Sequence, residues 1–488
     1  GLRSLQDTIL HRIGRLHPDV QTVIEAVSVF PRRAERAWAL DVAGSGDEDV
    51  IDMAADTGLI EDRDGYLAFR HEIARQVVEN TLRSGRRRRL NKALLAVMQT
   101  AGTVPNARLL HHARAADDLT ETARLAPVAG REALAAGANR QAADYLAIAV
   151  DLADPQDTGP FAALLFDAGE ACRLANRMLD AVGFFERALS VTEGNPVLRA
   201  RTLQRLSRVK WIAGKKVQAR TLGDEAIALL EPEDSEELAM ALAHRAQVAM
   251  SDFAVQESLP LARRAEDMAR RLGRIDIVSH ALSTQSLVSL FDSSEINALY
   301  AKSITAAKAA RSPVNLVRCL ANSGIVNWCG LRFPEALSLL DTAIETAFET
   351  DTTEQVNFHQ GFRVHVLDRM GQWDDALAKA QDILSRPLEE ASPKIMLRLT
   401  VSRIAMRRGE DDAAQHLDEI LTWLGDEEDA RHICDVACLF VERAWLGFDD
   451  GVPAQALMDH ARAIAINPML KEDLLDWQRR LDPSRLPD

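Results

Sequence analysis

The residues with the most suggestive chemistry are one histidine-centred stretch and one pair of cysteines. His71-Glu-x-x-Arg75 departs from the zinc motif H-E-x-x-H only at Arg75, so one ligand remains where two are needed and no metal site is expected. Cys434 and Cys438 lie four residues apart near His432 and could bind a metal or sense redox state. The same spacing is typical of small buried helix residues, and we favour packing.

A basic cluster, formed by Arg83, the arginines at 86–89 and Lys92, could contact phosphate, a membrane or DNA. We favour a solvated linker helix, because the cluster is too short to reverse the acidic balance of the chain. There is no G-x-S-x-G elbow and no P-loop: the single Gly-Lys pair, Gly214-Lys215, is followed by Lys216. We therefore expect no enzymatic activity, no metal and no cofactor in this chain itself.

The composition limits the class of protein. The 488 residues carry 58 Lys and Arg against 73 Asp and Glu, a net charge of −15, which argues against a surface that lies along nucleic acid. With 47% hydrophobic and only 5% aromatic residues, the chain favours packed amphipathic helices. Five sparse cysteines and no apolar run of membrane-spanning length predict a cytoplasmic location without a membrane partner. A chain that opens on Gly1 is expected to be a fragment.

The strongest signal is an internal repeat. A small residue is followed twelve positions later by alanine or another small residue and seven later by a second one, as in Gly324, Ala336 and Ala343. The second-helix anchors of this pattern are residues 142, 181, 219, 258, 298, 336, 376, 414 and 456, spaced by about 39 residues on average. Small residues at fixed offsets let two antiparallel helices cross closely.

This pattern predicts a mainly α fold, with a tetratricopeptide-like superhelix of about nine helix pairs over residues 101–481 and a tail at 482–488. Arrays of this kind present a long concave surface that usually binds a partner, although the fold does not say which one. The seven tryptophans are expected to lie mostly in the core, and the sequence does not identify any that line the groove.

Residues 1–100 lack the repeat. Helices are predicted at 20–29, 34–42 and 47–57, followed by a β-hairpin in which 58–61 and 66–70 flank the turn Asp62-Arg-Asp-Gly65. Another helix is predicted from about His71, with Ile73, Val77 and Val78 on one face. Three helices, a hairpin and a following helix give the order of a winged-helix domain.

Several motifs resemble those of the LuxR-type ATPase regulators, large bacterial transcription factors of the STAND class. They are Phe69-Arg-His-Glu-Ile-Ala-Arg75, Leu109-Leu-His-His-Ala-Arg-Ala-Ala-Asp-Asp118, Glu225-Ala-Ile-Ala-Leu-Leu-Glu-Pro232, Glu237-Leu-Ala-Met-Ala241 and Glu442-Arg-Ala-Trp-Leu446. The resemblance implies an ATPase module, a winged helix, a tetratricopeptide array and a C-terminal helix-turn-helix, in that order. The chain departs from it at both ends, because it contains neither a P-loop nor a basic helix-turn-helix.

The resemblance also implies a role for two residues. In related nucleotide-binding regulators a histidine at this place contacts the β-phosphate of ADP, so His71 and the neighbouring Arg70 are expected to sense the nucleotide. The alternative is a histidine that only caps or packs the helix start.

The sequence thus predicts the regulatory portion of an ATP-dependent transcriptional regulator. Its array would bind an inducer molecule or a partner protein, with possible self-association, and DNA contact only through a domain absent here. ATP or ADP would belong to the full-length parent. The alternative is a stand-alone tetratricopeptide scaffold for protein–protein interaction.

Overall fold

The structure is a computed structural model. It describes the chain apart from residues 1, 32, 45–47, 103, 253, 289–295, 387, 389–390, 411–416, 418, 423–429, 449–453, 466–467 and 482–488. The side chains of residues 2–7, 288, 297, 391, 430, 468–470, 472 and 481 also lie outside the description. The predicted tail, the anchor Ala414 and Trp423 therefore fall outside the described residues.

The chain divides into two compact units. The first comprises Gly1–Ala136 and Gln141–Asp154, and the second comprises Gly137–Arg140 and Pro155–Asp488. The first unit thus continues past residue 100, the expected end of the winged-helix domain. It includes the first helix pair of the expected array, Leu119–Ala135 and Asn139–Leu152, except for the first two residues of the second helix. No helix of the described part is long and apolar enough to cross a membrane.

The first unit contains nine helices, counting the one whose start lies in the second unit, and three short strands. The helices are α1 (Leu2–Ile13), α2 (Pro18–Ser28), α3 (Arg36–Ala43), α4 (Asp49–Asp56), α5 (Glu72–Thr81), α6 (Ser84–Ala101), α7 (Asn106–Ala115), α8 (Leu119–Ala135) and α9 (Asn139–Leu152). The strands are β1 (Ala34–Glu35), β2 (Ile60–Arg63) and β3 (Tyr66–Phe69), which form an antiparallel sheet in the order β1-β3-β2.

The predicted hairpin is confirmed. β2 pairs with β3 from Ile60 opposite Phe69 to Arg63 opposite Tyr66. Asp64 and Gly65 join the strands with φ values of 52° and 79°, which is the left-handed pair that a two-residue hairpin turn requires. The predicted helix at 34–42 begins two residues late, because Ala34 and Glu35 pair with Leu67 and Tyr66 as a third strand.

The second unit consists of antiparallel helix pairs. Its described helices are α10 (Thr158–Leu174), α11 (Met178–Leu189), α12 (Pro196–Ile212), α13 (Lys216–Leu230), α14 (Glu236–Ser251), α15 (Val255–Arg271), α16 (Ile275–Val288), α17 (Ile296–Ala309), α18 (Pro313–Cys329), α19 (Phe333–Glu349), α20 (Val356–Arg369), α21 (Trp373–Leu384), α22 (Ala391–Arg408), α23 (Ala430–Trp445), α24 (Ala454–Ile464) and α25 (Pro468–Leu481). Gly214, Gly371 and Gly409, in turns that follow first helices, adopt the left-handed conformation in which glycine carries no penalty.

Small residues bring the two helices into contact in several of the described pairs, as the repeat predicted. A Cβ on Gly169 would lie 2.6 Å from the ring of Phe185, and one on Gly324 would lie 2.9 Å from Leu340. In the pair α12–α13, the hydroxyl of Ser207 donates a hydrogen bond to the carbonyl of Ala219 at 2.6 Å. The tetratricopeptide-like helical repeat therefore rests on close approach between paired helices.

Two of the predicted anchors are wrong by two residues. Ala298 and Ala456 are exposed, whereas Ile296 and Ala454 are buried at the position that Ala336 occupies in its pair. In and just after α17 and α24 the buried residues follow one another at steps of four, three and four residues, as they do in α19. In both helices the first residue of this series lies two positions before the alanine that the sequence pattern selected. A bulky isoleucine at the first anchor hid the register from a search for small residues.

Candidate functional site

A cavity in the second unit is lined mainly by the first helices of consecutive pairs. Its volume is about 190 Å³. Its apolar lining comprises Trp211, Ile212, Met250, Leu287, Ile325, Trp328, Cys329, Phe358, Phe362, Pro393 and Met396. Its polar lining includes Lys216, Gln247, Ser251, Arg318, Asn322, Glu354, Gln355, His359, His365, Ser392, Arg431, His432, Asp435 and Asp473. Apolar atoms form most of the surface area of the wall, and such a wall with convergent polar groups is typical of a binding site.

One helix supplies a continuous stripe to this wall. Arg318, Asn322, Ile325 and Cys329 recur at intervals of four, three and four residues along α18, so they share one helical face. A helix rises 1.5 Å per residue, which separates the Cα atoms of Arg318 and Trp328 by about 15 Å along the axis. Arg318 makes one end of this helical face polar, and Trp328, next to Cys329, makes the other end aromatic.

The aromatic end of the stripe is built around Trp328. Its ring centroid lies 5.9 Å from that of Phe362 and 5.1 Å from that of His365, and Phe358 stands 5.2 Å from Phe362. All three contacts are edge-on, the arrangement that the ring quadrupole favours. The indole Nε1 of Trp328 and the Nδ1 of His359 are buried without a hydrogen-bond partner.

A buried ionic network lies beside the cavity and joins distant repeats. Glu354, in the loop between α19 and α20, is 7% exposed at its side chain and accepts hydrogen bonds from Arg208 at 2.7 and 3.0 Å. The guanidinium of Arg173 approaches the same carboxylate to 2.6 Å and also pairs with Glu170 at 2.7 Å. Arg205 approaches Glu170 to 3.1 Å. The network connects α10 and α12 to a loop that lies 146 residues beyond Arg208 in the chain.

The arginines decide the charge state of both carboxylates. Burial by itself would raise the pKa of Glu354, but Arg173 and Arg208 outweigh it and hold that pKa far below its usual range. Burial likewise opposes ionisation of Glu170, while Arg173 and Arg205 lower its pKa to about 2. Both groups are therefore ionised at neutral pH and fully engaged with cations.

Arg318 occupies a different environment. It is 4% exposed and donates to the carbonyl of His280 at 2.8 Å and to the hydroxyl of Thr284 at 2.7 Å, while its Nε is buried without a partner. Burial lowers its pKa to about 10, so the guanidinium remains charged at neutral pH. Both of its bonded partners are neutral acceptors.

Four buried histidines line the cavity or lie close to its charged groups. Burial is the main cause that lowers the pKa of His359 to about 4 and that of His365 to about 3. Burial and nearby arginines hold the pKa values of His244 and His280 well below their usual range. All four are neutral at pH 7, and both ring nitrogens of His244 lack a partner.

The residues that the sequence singled out near the hairpin lie in the first unit. His71 is the residue that precedes α5, and its side chain is exposed and makes no capping hydrogen bond. Arg70 is also exposed. Arg75, which replaces the second histidine of the zinc motif, is buried and donates to the carbonyl of Ser28 at 2.6 Å and to Glu79 at 2.7 Å. Arg75 thus ties α5 to the end of α2.

The other chemical candidates take part in packing and ion pairs. Cys434 belongs to an apolar cluster of α22–α25, and Cys438 packs against that cluster. In the basic stretch that begins α6, Arg86 pairs with Glu25 at 2.8 Å and Arg88 with Asp117 at 3.1 Å. Among the described residues, no group of three or more His, Cys, Asp or Glu side chains is placed to hold a metal ion.

Sequence reasoning did not find the cavity residues. It expected the tryptophans to lie mostly in the core, and the structure puts Trp211 and Trp328 on the cavity wall. No periodic signal could have separated them, because first helices such as α14 are buried on nearly all sides and lack a distinct apolar face.

The fold and this cavity define a tetratricopeptide-like helical-repeat protein with a site on its first helices. No protein-family model and no curated protein matches the sequence. Among solved structures it is similar to a Rap protein complexed with Competence and Sporulation Factor, with 14% identity, a TM-score of 0.48 and coverage of 75% of this chain and 99% of that one.

The chain is also similar to a signal-transduction ATPase (STAND) protein with a tetratricopeptide repeat sensor from Pyrococcus horikoshii. The identity is 11%, the TM-score 0.38, and the coverage 97% of this chain and 66% of that one. It is similar as well to the apo form of RapI, with 12% identity, a TM-score of 0.38 and coverage of 75% of this chain and 99% of that one. These low scores add nothing to the architecture that the helix pairs themselves display.

Proposed function

We propose that this chain is the sensor portion of a bacterial signal-transduction regulator and that its helical repeat binds an inducer in the cavity of the second unit. The observation that carries this proposal is the cavity wall, where apolar and aromatic side chains surround buried polar atoms without partners, among them Trp328 Nε1, His359 Nδ1 and Arg318 Nε. An unmade hydrogen bond at a buried polar atom costs about 1–3 kcal/mol. Binding of a ligand that supplies the missing partners recovers that cost.

The ionic network gives the bound state a way to affect other repeats. Glu354 lines the cavity and at the same time bridges Arg173 and Arg208 on earlier helix pairs. A ligand that prefers one position of the α19–α20 loop therefore also biases the arrangement of α10 and α12. Such differential binding is the requirement for a regulatory response.

The nucleotide-coupling half of the proposal rests on the resemblance to LuxR-type regulators. In the parent protein, the hairpin and helices of residues 1–100 act as a winged helix, with His71 and Arg70 facing the phosphates of bound ADP. The exposed imidazole at the N-terminus of α5 suits this role, because unpaired backbone N–H groups there favour an anion. ATP, DNA binding and transcriptional output belong to the parent, and the protein acts in the cytoplasm.

The cavity is tested with a panel of metabolites and peptides screened by thermal shift on the whole chain. A true inducer raises the melting temperature of wild type and loses its effect in Trp328→Ala. The matched control is Trp445→Ala, because Trp445 is 57% exposed and does not line the cavity. A cavity site is contradicted by ligands that still raise the melting temperature of Trp328→Ala, or by an equal loss of this rise in both variants.

The nucleotide half is tested separately in the parent protein. His71→Ala is expected to weaken ADP retention at least about tenfold, in line with the loss of one charge-assisted hydrogen bond of about 1.5–3 kcal/mol. Unchanged ADP affinity would remove the switch and leave a scaffold that docks protein segments through its repeats.

A further inference from the structure

Arg318 differs from three other buried arginines of the second unit. Each of the three has a carboxylate within 4 Å: Arg173 with Glu170 and Glu354, Arg208 with Glu354, and Arg245 with Asp224 and Glu257. Arg318 pairs with no carboxylate among the residues that the structure describes; it donates hydrogen bonds to one carbonyl and one hydroxyl. The buried charge is solvated only in part.

No carboxylate is among the titratable groups that act on the charge of Arg318, and the cationic Arg208 opposes that charge. The other titratable groups that act on it are the thiol of Cys319 and the phenol of Tyr300. The imidazoles of His244 and His280 also feel its charge, which helps to keep them neutral. An uncompensated buried charge costs several kcal/mol, and an anion that reaches it makes a strong, charge-assisted contact.

The cavity determines what shape of anion fits. Arg318 lines it at one end of the α18 stripe, and Trp328 with Phe362 lies about 15 Å farther along the helix axis. Ile325 lies between them on the same helix, and Met250 and Leu287 of neighbouring first helices belong to the apolar cluster against which it packs. A small inorganic ion would satisfy the charge and leave this apolar wall exposed.

Resting on the function proposed above, we propose that the ligand is an elongated amphipathic carboxylate, whose anionic end binds Arg318 and whose apolar or aromatic end lies against Trp328 and Phe362. Two sources share this chemistry: a medium-chain carboxylic acid, and a peptide of about five residues in extended form, at about 3.3 Å per residue, with a free C-terminus. Both place a carboxylate about 15 Å from an apolar group.

The probe for this proposal is 11-(dansylamino)undecanoic acid, which carries a carboxylate at one end and an aromatic fluorophore at the other. Its methyl ester is the matched neutral ligand. The acid is expected to bind wild type at least about tenfold more tightly than the ester, because only the acid makes a charge-assisted hydrogen bond to Arg318. Arg318→Met is expected to remove this preference, by weakening the acid and leaving the ester within about twofold.

Two further variants keep the test decisive. Arg318→Lys retains the charge and is expected to keep part of the preference for the acid. This variant tests the anion site even if Arg318→Met fails to fold. Trp328→Ala is expected to weaken acid and ester alike, because both use the aromatic end. Displacement by dodecanoate, or by the pentapeptide N-acetyl-FAAAA as free acid but not as amide, distinguishes the two sources, and either result supports the anion site.

The outcomes separate this inference from the proposed function. Equal affinity of acid and ester for wild type, or equal losses of both in Arg318→Met, overturns the anion site and leaves a cavity that binds apolar ligands. Failure of both probes to bind in a saturable, Trp328-dependent way overturns the anion site. If the wider ligand screen also finds no Trp328-dependent hit, the ligand-binding function of the cavity is lost as well.

Discussion

Replacing Glu354 with glutamine removes the carboxylate that Arg208 contacts among the described residues, while Arg173 keeps Glu170 as a partner. Glu354 and Arg208 are both more than nine-tenths buried at their side chains. Breaking a buried pair by removing one partner costs about 3–5 kcal/mol, because the remaining charge stays in a low-dielectric environment. We expect a loss of this size in the local stability that holds the α19–α20 loop to α10 and α12.

Amide hydrogen exchange measures this loss where it occurs. Because each 1.4 kcal/mol corresponds to a factor of ten, exchange in the α19–α20 loop and in α12 is expected to accelerate by roughly two to three and a half orders of magnitude. The folded pKa of Glu354 lies below its unfolded value, so the carboxylate stabilises the fold above about pH 5 and this contribution is lost as the pH falls further. The difference between wild type and Glu354→Gln should therefore narrow below about pH 4.

The matched control is Glu186→Gln. Glu186 on α11 pairs with Lys210 on α12, with its Oε1 3.0 Å from the Nζ of the lysine. Glu186 is largely exposed, and such pairs contribute about 0–1 kcal/mol. The double variant Glu354→Met with Arg208→Met should be less destabilised than Glu354→Gln alone, because no buried charge is left without a partner. Equal rates of amide exchange in Glu354→Gln and Glu186→Gln would refute this account of the network. So would a double variant whose loss of stability equals the sum of the losses of Glu354→Met and Arg208→Met.

Three further predictions concern single residues. Because burial lowers the pKa of His359 to about 4, folding resists its protonation, and stability falls as the pH drops below the unfolded value near 6.5. His359→Gln should therefore lose roughly 2 kcal/mol less than wild type between pH 7 and pH 5 in urea unfolding, and equal losses would contradict the assignment. Gly169→Ala should cost about 1–3 kcal/mol because the new Cβ meets the ring of Phe185, whereas Gly183→Ala, with no atom within 4 Å, should stabilise by about 0.5–1 kcal/mol. Equal signs in the two thermal melts would exclude the steric account. Arg75→Met should cost about 1–3 kcal/mol and accelerate amide exchange in α5 about tenfold or more, since the carbonyl that ends α2 loses its donor; unchanged exchange would mean that this contact contributes nothing.

Local rules in the sequence were sufficient for the elements of the fold. The turn Asp64-Gly65 predicts the hairpin because few other residue pairs adopt two successive left-handed conformations. The repeat of small residues predicts paired helices because contact at Gly169 and Gly324 leaves no room for a side chain. The same rule failed at Ile296, where the close approach is made by a larger residue and alanine matching chose Ala298 instead.

The site depended on contacts that no local rule contains. Glu354 stands in an acidic loop like others in the chain, and only the stacking of successive helix pairs brings it to Arg173 and Arg208, 146 or more residues away. Arg318 is one of many arginines in the sequence, and its lack of a carboxylate partner within the described part of the chain follows from which side chains the neighbouring helices place around it. The sequence by itself determined the helices, their pairing and the repeat, because these follow from side-chain size and turn chemistry over fewer than 40 residues. The tertiary structure alone decided the cavity and its charges, because small rotations between successive helix pairs accumulate and determine which distant side chains meet.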